Sequence, residues 1–134
     1  MSGYKHIETA IARFIAGRYR SVAEVGTGCN THAAELIRRA GVDIFCVDIF
    51  IPTGTVIVPY FTCDVHKPDY SLFSDVESIF AIRPVEEMMS DLIDLATTLN
   101  VDLYVYHLGF EGYGNHHQII DCGVSLCQYF IRRN

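Results

Sequence analysis

The stretch Val22-Ala23-Glu24-Val25-Gly26-Thr27-Gly28-Cys29-Asn30-Thr31 sets the fold of this chain, because it passes from an apolar strand through a glycine turn into a helix. Behind it, Ala33, Ala34, Leu36, Ile37 and Ala40 mark that helix, with Asn30 or Thr31 as its N-cap and Gly41 as its stop. Glycine is needed in such a bend for two reasons. The chain turns sharply off the strand, and a ligand can approach the backbone without meeting a Cβ. The backbone N–H groups and the helix dipole then face whatever binds.

The pattern continues on both sides. Upstream, Ile7, Ala10, Ile11, Phe14 and Ile15 recur at the spacing of an amphipathic helix. Downstream, two apolar runs each end in an acid: Ile44 to Val47 leads to Asp48, and Val56 to Phe61 leads to Asp64. Runs without alternation suit strands buried on both faces, as in parallel sheets. A fourth strand is predicted from Val76 to Ile82, a helix from Glu86 to Leu99, and a fifth strand from Leu103 to His107. The order predicts an α/β, doubly wound and mostly parallel sheet. Gln118 to Ile120 and Ser125 to Ile131 flank the turn Asp121-Cys122-Gly123, which predicts an antiparallel C-terminal hairpin closing one edge.

With 134 residues, 50% of them apolar and 19% charged, the chain fits one domain over 1–134 and excludes disorder. A net charge of −6 excludes a domain held mainly by nucleic-acid phosphates. The charge is uneven, with six basic and three acidic residues before position 41 and four basic and thirteen acidic after it. Glu8 and Arg13 in the first helix do not belong in a secretory apolar segment, so a cytoplasmic location is expected. Five cysteines without a Cys-x-x-Cys pair do not make a disulfide scaffold. His116, His117, Asp121, Cys122 and Cys127 cluster in sequence, but adjacent histidines on a strand point to opposite faces, so no metal site is expected.

Charge also selects among nucleotides. Glu24, two residues before Gly26, suits a ligand presenting a cationic group rather than a diphosphate, and Thr31 stands where the dinucleotide fingerprint wants Gly or Ala. An acid, an apolar residue and Gly-x-Gly together resemble the first motif of class I S-adenosylmethionine-dependent methyltransferases. The chain is similar in particular to a small archaeal family of uncharacterised, methyltransferase-like proteins with a short chain and an Arg-Pro after the fourth strand. The resemblance spans about residues 20 to 107 and implies a Rossmann-like fold with S-adenosylmethionine as cofactor. It further implies that Glu24, Gly26, Thr27 and Gly28 hold the methionine part, that Asp48 accepts the ribose hydroxyls, and that Asp64 with the Val65 backbone meets the adenine. Asn30 replaces a third glycine of that motif, and Ile82-Arg83-Pro84-Val85 replaces the Asn/Asp-Pro-Pro-aromatic signature of amino-group methyltransferases.

Arg83 and His107, both expected at strand tips, are the candidates for chemistry: an arginine clamps an anionic acceptor, and a histidine takes the proton of a nucleophile. Each also has a structural reading, Arg83 pairing with Glu86 or Glu87 and His107 satisfying a backbone group. Glu111, beside Phe110 and Tyr113 in a glycine-rich loop, is a further candidate on a lid. Two other functions stay open, a non-catalytic regulatory module of the same fold and a nicotinamide-cofactor protein. Finally, about ten residues separate strands two and three and about eleven separate three and four, which leaves little room for crossover helices. One sheet face is then thinly covered, and a homodimer is the expected cover.

Overall fold

The computed structural model describes residues 3–54, 57–108, 112–114 and 116–134, with side chains from residue 6 onward. Helix α1 (Gly3–Ala16) leads into β1 (Ser21–Val25), α2 (His32–Arg39), β2 (Asp43–Asp48) and β3 (Tyr60–Thr62). A single 3-10 turn (Tyr70–Phe73) precedes β4 (Ser78–Ile82). A second (Glu86–Met88) opens α3 (Met89–Leu99), which is followed by β5 (Asp102–Tyr106), β6 (Gln118–Asp121) and β7 (Ser125–Phe130). The strands form one sheet in the order β3-β2-β1-β4-β5-β7-β6. The first five are parallel, while β7 runs antiparallel to both β5 and β6. The doubly wound α/β sheet with its antiparallel hairpin is therefore as the sequence predicts, with the hairpin's second strand inserted next to β5.

Strand alternation divides the interior into two layers. Val22, Ile44, Cys46, Phe80 and Tyr104 face α1 and α2, where Ile11, Ile15, Ala33 and Ile37 are fully buried. Ala23, Val25, Val47, Ile79, Leu103 and Val105 face α3 and the Phe73 turn, which bury Leu92, Leu95 and Phe73. The sheet reverses order at β1 and β4, so the crevice between their carboxyl ends is the topological switch point where ligands of such sheets bind.

The third strand is much shorter than the sequence suggests. Pairing begins at Tyr60, since Pro59 has no N–H to give and contributes only its carbonyl, which accepts from the Cys46 N–H at 2.9 Å. Val56 lies outside the described residues. The fourth strand starts at Ser78 because the Val76 N–H closes a turn onto Phe73 O at 3.2 Å. The fifth stops at Tyr106, one residue before His107. Among the described residues no helix joins β2 to β3, and the Phe73 turn lies between β3 and β4, matching the reduced crossovers. Apolar side chains stand exposed at this edge, including Ile49, Ile51, Ile57, Phe61 and, at 81% exposure, Phe50.

Candidate functional site

The turn after β1 takes its shape from two glycines in the left-handed region, Gly26 at φ 73° and Gly28 at φ 60°. The Gly26 N–H donates to Val47 O at 2.8 Å, which carries the β1 to β2 pairing past the strand end. The Gly28 N–H donates to Asp48 Oδ2 at 2.8 Å, and the Tyr60 hydroxyl donates to Gly28 O at 2.9 Å. Asp48 Oδ1 accepts from the Ile49 N–H at 2.7 Å. The glycine turn, the acid ending β2 and the first residue of β3 are thus one hydrogen-bonded unit. Thr27 is buried and its hydroxyl donates to Glu24 O at 3.3 Å. Asn30 is held by its side chain, whose amide donates to Glu8 Oε2 at 2.8 Å and whose carbonyl accepts from the His32 N–H at 3.2 Å.

A Cβ on Gly26 would stand 3.1 Å from Met88 Cε, so the turn is covered on one side by that methionine. Gly26→Ala combines this crowding with a left-handed backbone. It is expected to cost about 1 to 3 kcal/mol of stability in urea unfolding, and an unchanged midpoint would contradict the close approach.

Beneath the turn lies a polar cluster that the layers bury. Glu24 points to the α1 side of the sheet and is 2% exposed, and Glu8 of α1 is 1% exposed. Glu8 Oε2 accepts from Asn30 and, at 3.1 Å, from Arg83 Nη1, whereas Glu8 Oε1 and Glu24 Oε1 have no hydrogen-bond partner. Burial, with the Glu8 charge adding to it, pushes the Glu24 carboxyl up to about 8. Burial and the Glu24 charge likewise push the Cys46 thiol up to about 12. Arg83 is the residue that closes this cluster from β4. Its backbone is left-handed at φ 55°, its N–H donates to Tyr106 O at 2.7 Å, and its guanidinium lies 5.4 Å from the Tyr106 ring centroid. Its ion pair is with Glu8, on a different element from the expected Glu86 or Glu87.

The remaining candidates are dispersed. Asp64 follows β3 by two residues, beside the tip of β2 because Asp48 pairs with Thr62. It is exposed, and Oδ1 accepts from the His66 N–H at 2.9 Å, the habit of an Asp at a turn. The neighbouring Val65 packs onto the α3 layer. His107 also belongs to the α3 layer: its Nε2 lies 2.5 Å from the Tyr129 hydroxyl, which accepts from the Tyr113 N–H at 2.6 Å. Burial, and then His117, lower the His107 pKa. Arg83 and His107 therefore stand on opposite faces of the sheet, each tied to a different partner. Glu111 and Phe110 lie outside the described residues.

Sequence reasoning missed Glu8, Tyr60 and Met88. Glu8 was legible, since 8, 11, 12 and 15 repeat at i, i+3, i+4 and i+7 and all four are buried. Its charge places it on the polar side in any reading by hydropathy alone. Among the described residues, no group of three or more His, Cys, Asp or Glu side chains gathers to hold a metal ion, and no helix is long and apolar enough to cross a membrane. Depressions of about 500, 460 and 410 Å³ lie away from the turn, the first beside His117, Tyr129 and Arg132, the second at the amino ends of β1 and β2, the third beside Glu35 and Arg38.

The arrangement is similar to that of solved methyltransferases. A S-adenosylmethionine-dependent methyltransferase from Archaeoglobus fulgidus superposes with a TM-score of 0.58 at 16% identity, over 78% of this chain. The chain spans only about half that enzyme, 52% of its length. The antibiotic-resistance methyltransferase Kmr gives a TM-score of 0.57 at 12% identity, over 92% of this chain and 93% of Kmr. A Burkholderia thailandensis N1-methyltransferase, solved with 1,6-didemethyltoxoflavin and S-adenosylhomocysteine, gives 0.56 at 14% identity over 96% of this chain and 62% of its own. These likenesses establish a Rossmann-like, class I methyltransferase-type fold. Among sequences, a Pyrococcus horikoshii protein is 32% identical, covering 73% of this chain and 79% of its own length. An Archaeoglobus fulgidus protein is 27% identical over 92% of each. Both relatives carry the designation UPF0146, and residues 5–125 match the Uncharacterised protein family of that designation, so the chain belongs to the UPF0146 family.

Proposed function

We propose that this protein binds S-adenosylmethionine across the tips of β1 and β2 and transfers its methyl group to a small acceptor. The observation that carries the reading is the bond from the Gly28 N–H to Asp48, which joins the glycine turn to the acid that would receive a ribose. Asp48 keeps lone pairs for two hydroxyls after accepting its two backbone bonds. Glu24 places a buried carboxyl below the turn, which a cationic group entering there would draw into its charged form. Asp64 and Val65 stand at the neighbouring tip for the adenine, and Gly26, Thr27, Gly28 and Asn30 line the methionine side. When bound, the sulfonium supplies an activated methyl group with a neutral thioether as leaving group. The chain's own task is alignment and exclusion of water, which needs few acid-base groups. In this reading Arg83 fixes the cluster around Glu8, and His107 serves a separate Tyr129 network.

A non-catalytic module of the same fold is the second reading, favoured by the Met88 cover over Gly26. Asp48→Ala separates the two. Under the first reading, lost hydrogen bonds lower affinity for S-adenosylmethionine by about 1 to 3 kcal/mol in calorimetric titration, roughly 5- to 150-fold. An unchanged affinity would remove Asp48 from the site and the reading with it.

A further inference from the structure

Strand β3 is the outer strand on one side of the sheet, and its pairing with β2 determines which of its backbone groups are already used. The Pro59 carbonyl accepts from the Cys46 N–H and the Cys63 N–H donates to Asp48 O, each at 2.9 Å, so the odd-numbered residues face β2. The N–H and C=O groups of Tyr60 and Thr62 therefore point outward, two donors and two acceptors along the edge. Such an edge is a template for another strand unless something guards it, and proline and charge are common guards. Neither acts here. Pro59 lacks its N–H on the side of β2, and Tyr60-Phe61-Thr62 carries no charge. Phe61 and Thr62 are exposed, as are Ile49, Phe50, Ile51 and Ile57 at the same edge.

We propose that this edge pairs with the β3 edge of a second copy of the chain, antiparallel about a two-fold axis at Phe61, so that one sheet runs through a homodimer. The proposal does not rest on the methyl-donor reading. Self-complementary backbone is the first reason for a second copy. With Tyr60 opposite the partner's Thr62, and Thr62 opposite the partner's Tyr60, every outward N–H meets an outward C=O. The two Phe61 side chains then meet at the axis in the closer, non-hydrogen-bonded position.

Charge is the second reason. In this register Val58 lies opposite the partner's Asp64, and Val58 lines a depression of about 410 Å³ with Glu35, Arg38 and Arg39. Arg38 is anchored at that depression by the bond from Nη1 to Ile57 O at 3.1 Å, while Glu35 accepts from the Thr31 hydroxyl at 2.6 Å. A cationic depression at one end of the edge thus receives an exposed carboxylate from the other end, and the symmetry makes the contact twice. Asp64 accepts one hydrogen bond, from the His66 N–H, and keeps acceptor positions for a guanidinium as well as for a nucleotide. The rival surface is the opposite edge. There β6 ends in the charged Asp121, and the large apolar side chain it exposes is Ile119.

Sedimentation equilibrium of the whole chain tests this, with circular dichroism to confirm that each variant is folded. The native protein should sediment as a dimer of about 30 kDa, twice 15.1 kDa, at micromolar concentration. Phe61→Glu sets two like charges together at the axis, and Thr62→Pro removes an outward N–H while leaving the bonds to β2. Each should weaken the dimer at least about 100-fold. Arg38→Glu and Asp64→Arg should each raise the dissociation constant about tenfold, and the two combined should recover most of that loss, which damage to the fold would not do. A native monomer at about 100 µM would overturn the proposal. So would a dimer that both β3 substitutions leave intact, or one that Ile119→Lys alone separates, which would put the contact at β6. Additive weakening in the double charge variant would overturn the register about Phe61.

Discussion

Arg83→Met is expected to lower stability by about 3 to 5 kcal/mol, a large fraction of what a domain of this size possesses. Glu8 is 1% exposed and has Arg83 Nη1 at 3.1 Å as its charged partner, so the substitution strands a carboxylate in the layer between α1 and the sheet. Methionine retains the bulk of the side chain and does not relieve the left-handed backbone at φ 55°, so the loss isolates the charge. Glu8→Gln should cost less, because the Arg83 side chain is 18% exposed and can turn its charge to water. The double variant should lose less than the sum of the two, the mark of a direct interaction. Urea unfolding of the three variants measures this, and strictly additive losses would contradict the pair.

The second large effect is a pH dependence carried by Glu24. Its carboxyl sits at about 8 in the folded chain against an ordinary value of 4.5, so the folded state keeps its proton where the unfolded state loses it. The stability contribution is whole below about 4.5 and declines as pH rises through 8, by up to about 1.4 kcal/mol for each pH unit. Glu24→Gln removes that decline and should be the more stable form above pH 8. Unfolding midpoints of both forms from pH 4.5 to 8.5 give the difference, in which the other titrating groups cancel. Parallel profiles would contradict a buried, charge-starved Glu24.

The legible part of the fold is the part where one residue type has one physical use. Gly26 and Gly28 are both left-handed, and the acid at Asp48 is bonded to the turn, as the spacing of twenty residues from Gly28 implies. The β3 strand was overdrawn because hydropathy registers the apolar residues around Pro59 but not the missing N–H. Arg83 and His107 looked equivalent, each following a strand, yet the left-handed turn at Arg83 swings it under α1 while His107 continues into the α3 layer. Which face a residue takes just past a strand end depends on local backbone, and alternation no longer reports it. Glu8 shows the reverse case, a helical stripe whose period was visible and whose charge concealed it.

Titration of the purified chain with S-adenosylmethionine, S-adenosylhomocysteine and NAD tests the central claim most directly. Saturable binding of the first two and none of NAD is the predicted result. Binding of NAD alone, or of none of the three, would contradict a sulfonium-nucleoside site at the glycine turn.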